Sequence, residues 1–282
     1  MKRFATISAL LAAGAMALFP SPASAGPRPP STVDITVTEA GFTSTPAVAG
    51  GAVTLRVRSE DPAGAWIGLV RLRPGVTLDR YVEHLRQAMS DDPATAVEGG
   101  RAVSEDAVML GGPASAQVPA SASLHVPPGD YLLVDFRDVH EPDFAQRIRP
   151  LIVGPGGGRP APAPDAVIAA TESGFRAPAE LVSGAPVLVA NRLDQYNEAM
   201  VMPVRPGTTL TEVDAFFDGT GDFPFAGGPT GIVPMSPGRT AVLEAALPPG
   251  EYALVTWVRD LDTGRMLAQE GMRELVRILP AG

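Results

Sequence analysis

The chain has 282 residues, a formal charge of −9, no cysteine, and 30 each of glycine and proline. That length suits two domains of ordinary size. The lack of cysteine excludes disulfides, thiolate catalysis, zinc ribbons and a lipidated N-terminal cysteine, and the acidic balance disfavours nucleic acid and anionic lipid surfaces.

The start of the chain has the order of an export signal. Lys2 and Arg3 precede an apolar run from Phe4 to Phe19, and Ala23-Ser24-Ala25 supplies small residues for cleavage before Gly26. The run is shorter than the roughly 20 apolar residues of a spanning helix, and Pro20 and Pro22 end it. Residues 1–25 are therefore expected to be removed, leaving no membrane span and placing the protein in the periplasm or outside the cell. Loss of Lys2 and Arg3 takes the charge from −9 to −11.

The rest of the chain states its pattern twice. Thr38-Glu39-Ala40-Gly41-Phe42 returns as Thr171-Glu172-Ser173-Gly174-Phe175, Arg73-Pro74-Gly75 as Arg205-Pro206-Gly207, and Pro127-Pro128-Gly129-Asp130-Tyr131 as Pro248-Pro249-Gly250-Glu251-Tyr252. The order of the motifs is the same in both copies, which indicates a duplicated domain. The shared motifs bound a first copy at 32–153 and a second at 165–280. Between them, 154–164 is a Gly/Pro spacer that cannot form a core.

In chain order, Val33, Ile35 and Val37 alternate with polar residues, as do Val53, Leu55 and Val57, and period two predicts half-buried strands. The stretches from Trp66 to Leu72 and from Leu132 to Val134 are more continuously apolar, as central strands can be. Leu78, Tyr81, Val82, Leu85 and Met89 form one helical stripe behind Thr77 as N-cap. Ala122, Leu124 and Val126 alternate again, and Pro128-Gly129 predicts a type II turn leading Tyr131 into a strand. The second copy repeats the scheme, with Thr209-Leu210-Thr211-Glu212 as a capping box before its helix. The expected fold is mainly β: two tandem Greek-key sandwiches, each with one short helix.

With Glu39-Ala40-Gly41-Phe42, Leu69 to Gly75, Pro128-Gly129-Asp130-Tyr131 and Gly271-Met272, the chain resembles the cupredoxin-like sandwich, in the form of secreted bacterial proteins that carry such domains in tandem. The resemblance covers nearly all of the chain after the signal and implies fold and export. It also implies where copper ligands would stand. The first histidine position falls on Ala65 and Asn197, the cysteine position near Asp135 and Thr256, and the second histidine near Leu267, with Met272 the one matching residue. Type 1 copper requires a thiolate, so the resemblance implies a domain pair without that centre and no cofactor is expected.

Several side-chain groups remain as candidates. Asp135, Asp138, His140, Glu141 and Asp143 concentrate ligating atoms in the last hairpin of the first copy, and Asp138, His140 and Glu141 are the candidate ligands for a divalent metal. The same segment also fits a solvated acidic turn, because the second copy has only Asp260 and Asp262 there. His125 and His84 are expected on solvated faces, and Trp66 and Trp257 in the core. Phe223 and Phe225, in a Gly-rich loop, are the candidate partner surface. No Gly-x-Ser-x-Gly or His-Glu-x-x-His occurs, and Asp91-Asp92 would serve a glycosidase only if facing carboxylates were found. The expectation is an exported, monomeric, non-enzymatic binding or structural module for a protein or glycan partner. The alternative is a divalent-metal binding or delivery protein using the Asp138/His140/Glu141 hairpin.

Overall fold

The computed structural model describes residues 31–116, 118–137, 139–156 and 160–282. The predicted export signal lies outside them, as do Asp138 and residues 157–159 of the predicted spacer. The first copy contributes β1 (Ser31–Thr38), β2 (Gly41–Ser44), β3 (Ala47–Ala49), β4 (Gly51–Ser59), β5 (Ala65–Leu72), α1 (Leu78–Ala88), α2 (Pro93–Asp106), β6 (Ala107–Gly111), β7 (Pro113–Ser115), β8 (Ala120–Val126), β9 (Gly129–Asp135) and β10 (Ile148–Gly154). The second contributes β11 (Ala166–Thr171), β12 (Gly174–Arg176), β13 (Glu180–Val182), β14 (Val187–Asn191), β15 (Asn197–Pro203), α3 (Leu210–Phe217), β16 (Thr230–Met235), β17 (Thr240–Ala245), β18 (Gly250–Val255) and β19 (Arg273–Leu279).

The repeated motifs are turns fixed by their own side chains. In the first hairpin of each copy the Thr hydroxyl donates to the glycine carbonyl, Thr38 to Gly41 at 3.1 Å and Thr171 to Gly174 at 2.8 Å. In the Pro-Pro-Gly-x-Tyr motif the phenol reaches back over the turn, Tyr131 to the Pro127 carbonyl and Tyr252 to that of Pro248, both at 2.8 Å. Gly129 and Gly250 take φ of +153° and +158°, conformations that L side chains rarely adopt. These contacts explain why the two copies kept these residues and let the rest diverge.

Two sheets stack face to face, and each runs through both copies. One has the order β12-β11-β14-β17-β8-β4-β1-β2 and the other β13-β19-β18-β15-β16-β6-β5-β9-β10-β3, with β7 pairing β16 and β5. Each order is a palindrome once equivalent strands are matched, so a pseudo-twofold axis passes between β8 and β17 on one sheet and between β6 and β16 on the other. At the first junction Ala241 to Ala245 pair with Leu124 to Ala120 in antiparallel register. At the second, Met235 pairs with Leu110, and Thr230 to Ile232 pair with Ser115 to Pro113. The predicted alternation fills the space between the sheets with Val33, Ile35, Leu55, Ile67, Leu124, Ile168, Val201 and Ile232, among others from both copies.

A second apolar layer covers the outer face of the larger sheet. Tyr81, Val82 and Leu85 of α1, Val103 of α2, and Val213 and Phe217 of α3 pack on Val70, Val134, Met200, Met202 and Val255. The expectation of one helix per copy is corrected here, since the first copy carries two among the described residues. Asp92 caps α2, accepting from the Thr95 amide at 2.8 Å, and Pro93 opens it. Gly99-Gly100 weakened its apolar stripe in the sequence, yet both glycines are needed for close approach. A Cβ at Gly99 would lie 2.2 Å from the Ala88 nitrogen, and one at Gly100 would lie 2.7 Å from the Tyr196 hydroxyl. His84 is also corrected: its Nδ1 lies 2.7 Å from Oδ2 of the buried Asp106 instead of facing solvent. His125 is exposed, as its strand phase predicts.

The shared sheets make the copies one cooperative unit. Calorimetry of the full chain should show one unfolding transition, whereas residues 160–282 expressed alone should aggregate through the bared β16 and β17 edges. Two resolved transitions and a soluble second half would contradict this.

Candidate functional site

On the outer face of the larger sheet, where the copies meet, the structure holds a cavity of about 450 Å³. Strand phase determines what enters it. Along β15, Ala199 and Val201 point between the sheets, so Glu198, Met200 and Met202 point outward. On β5, Ile67 and Leu69 point inward and Trp66 outward. Met109, Phe136, Tyr196, Val233 and Trp257 extend the wall, and Leu85 and Ala88 of α1 with Val103 of α2 cover it. Met89, Asp91, Arg259 and Met266 complete the lining.

Five of the lining residues are methionines, Met89, Met109, Met200, Met202 and Met266. Flexible thioethers adapt to ligands of varied outline. Both tryptophans of the chain line the cavity and are partly exposed, which corrects their assignment to the core.

Glu198 is the polar centre of this apolar wall. It is 9 % exposed, and its Oε1 accepts the Trp257 amide at 2.8 Å. Among the described residues it makes no salt bridge; Arg259 instead directs Nη1 to the Gly264 carbonyl at 3.0 Å. Burial pushes the Glu198 carboxyl up to about 7, against the lowering effect of the Trp257 amide. Burial also raises the Tyr196 phenol, with the neighbouring Glu198 charge adding to it. The sequence reading passed over Glu198. Its signal was an acid immediately before the apolar run from Ala199 to Met202, in phase with two methionines.

The positions where the resemblance would place copper ligands hold structural bonds. The Thr256 hydroxyl donates to Oδ1 of Asn197 at 2.7 Å, while Leu267 and Met272 are buried in the core between the sheets. In the first copy Asp135, fully buried, is gripped by Arg137 through Nε at 3.0 Å and Nη2 at 2.7 Å, and Arg137 reaches Asp61 at 2.7 Å. An amide, a hydroxyl, an apolar side chain and an already paired carboxylate do not fit type 1 copper.

Of the hairpin residues, Asp135 is thus engaged with Arg137, and Asp138 lies outside the described residues. His140 is present with Nε2 3.1 Å from the Met89 carbonyl, and Glu141 and Asp143 are exposed. No group of three or more potential ligands is assembled among the described residues. Asp92, as a helix cap, does not face Asp91 across a cleft. Phe225 is 5 % exposed, correcting its placement on a partner surface; it packs edge-on with Phe216 and Phe223 and tilted against Trp257. Phe223 remains 54 % exposed.

No family model matches the chain, and no curated protein does. Similar solved structures are cupredoxin-like. An auracyanin B is 14 % identical over 43 % of this chain and 93 % of its own, with TM-score 0.27. A multicopper oxidase is 14 % identical over 88 % of both chains, with TM-score 0.23. A multi-copper oxidase from Pediococcus acidilactici is 10 % identical over 89 % of this chain and 59 % of its own, with TM-score 0.24. The likeness is too loose to carry activity, substrate or cofactor to this chain, and the fold rests on the strand order described above.

Two outcomes follow from the site's electrostatics. Arg137→Ala leaves the buried Asp135 with only the longer contact to Arg147, at 3.6 Å, and should cost about 3 kcal/mol in urea unfolding. Glu198, whose folded value of about 7 exceeds the ordinary 4.5, binds its proton more tightly when folded, so its contribution to stability is full below about pH 4.5 and is lost as pH rises through 7. Tyr196, Asp91 and Arg259 are the other titratable or charged groups of the lining. The natural protein should therefore lose about 3 kcal/mol relative to Glu198→Gln across that interval. Parallel pH profiles of the two proteins would contradict the assignment.

Proposed function

We propose that the protein is an exported binding module whose cavity receives a small, largely apolar molecule, without converting it chemically. The observation that carries this reading is the cavity of about 450 Å³ spanning the junction of the two copies, walled by five methionines and two tryptophans. Volume and lining match those of small-molecule sites, which are concave, mainly apolar and furnished with few polar groups. Export is supported by the run from Lys2 to Ala25. A non-enzymatic role is supported by the bonds that occupy Asn197, Thr256 and Asp135, since these tie up the polar groups where the resemblance would place metal ligands.

The experiment is fluorescence titration of the mature chain with N-phenyl-1-naphthylamine, an apolar dye that accepts energy from tryptophan. Trp66 and Trp257, the two tryptophans, both line the cavity, so occupancy should quench emission and light the dye. Ala88→Phe, which projects a ring from α1 into the cavity, should weaken binding about tenfold or more while the melting temperature is retained. No energy transfer, or equal affinity in the variant, would overturn the reading.

A further inference from the structure

We propose that the occupant of this cavity is an organic cation, an amine or quaternary ammonium with an apolar body, whose charged head meets the Glu198 carboxylate. The inference rests on the cavity reading above and adds to it the charge of the ligand.

Glu198 is nine-tenths buried, lines the cavity, and has one described hydrogen bond, from the Trp257 amide to Oε1. A carboxylate removed from water and left without a counter-charge is costly, and among the described residues no salt bridge offsets it. The equivalent position in the first copy, judged by the Arg-Pro-Gly registers at 73–75 and 205–207, is Trp66, so the acid is not a requirement of the sheet. Trp66, Tyr196 and Trp257 share the lining with it, and their ring faces attract ammonium groups. The formal charge of −9 repels anions and draws cations toward the protein as a whole. Arg259, the cation in the lining, directs its guanidinium to the Gly264 carbonyl and not to Glu198.

The test compares three probes of equal apolar length, octylammonium, octan-1-ol and octanoate, by tryptophan fluorescence and by calorimetry on the mature chain. At about pH 8, where the Glu198 carboxyl is ionised, octylammonium should bind about tenfold or more tighter than octan-1-ol, and octanoate weakest. In Glu198→Gln the ammonium should lose that advantage, to within about twofold of the alcohol, while the alcohol's affinity is unchanged. At about pH 5.5 the advantage should shrink in the natural protein, and ammonium binding should release a proton to the buffer. If octan-1-ol or octanoate binds as tightly as octylammonium, or Glu198→Gln leaves the order intact, the cation assignment fails and the cavity reading stands. If none of the three probes, nor the naphthylamine dye, alters the fluorescence, both fail together. A circular dichroism spectrum of the Gln variant like the natural one, with a melting temperature at or above it, shows that a lost preference is not lost folding.

Discussion

The antiparallel register between β8 and β17 is the constraint on which the rest depends. A sandwich domain of this kind ends in edge strands whose amides and carbonyls must be paired, covered or hydrated. Here the two copies satisfy one another's edges, on both sheets and about one axis. The interior between the sheets becomes continuous, and the outer faces of β5 and β15 are brought into one sheet under a shared helical roof. The cavity exists because the helices of the first copy and the connections of the second do not fill that roof completely. Neither copy alone contains its wall.

Much of this architecture was legible in the residues. Period-two alternation at Val33, Ile35 and Val37 located an inward face because a strand has only two faces. The repeated Thr-Glu-x-Gly-Phe and Pro-Pro-Gly-x-Tyr runs located turns because their side chains close them, Thr onto Gly and Tyr onto Pro. Local interactions of this kind are written locally. The helix α2 was missed because Gly99 and Gly100, chosen for contact with Ala88 and Tyr196, remove the apolar stripe by which helices are recognised. The cavity was missed for a different reason. Its lining is drawn from segments as distant as Trp66 and Met266, and nothing in the sequence states that two copies join edge to edge. His84 was misjudged because its partner Asp106 lies in the helix that had not been foreseen.

The positions where the resemblance would place copper ligands hold polar groups that are satisfied within the fold. Burial does not tolerate unpaired polar groups, and these satisfy each other: Thr256 with Asn197 in one copy, Asp135 with Arg137 in the other. The two solutions differ, one neutral and one ionic. The pairing of Asp135 holds the start of β5 as well, since the Trp66 amide points at the same carboxylate at 3.3 Å. The Asp135–Arg137 pair is thus also a fastening for the strand that supplies one wall of the cavity.

Trp66 and Glu198 occupy equivalent places on β5 and β15, on either side of the pseudo-twofold axis. Had both copies kept the same residue, a molecule entering between them would meet two identical walls and could lie in either of two reversed poses. With an indole on one side and a carboxylate on the other, the poses differ in energy. On the proposed reading, duplication would give a stoichiometry of one guest per chain instead of one per copy, and divergence at this single pair of positions would give that guest a head and a tail.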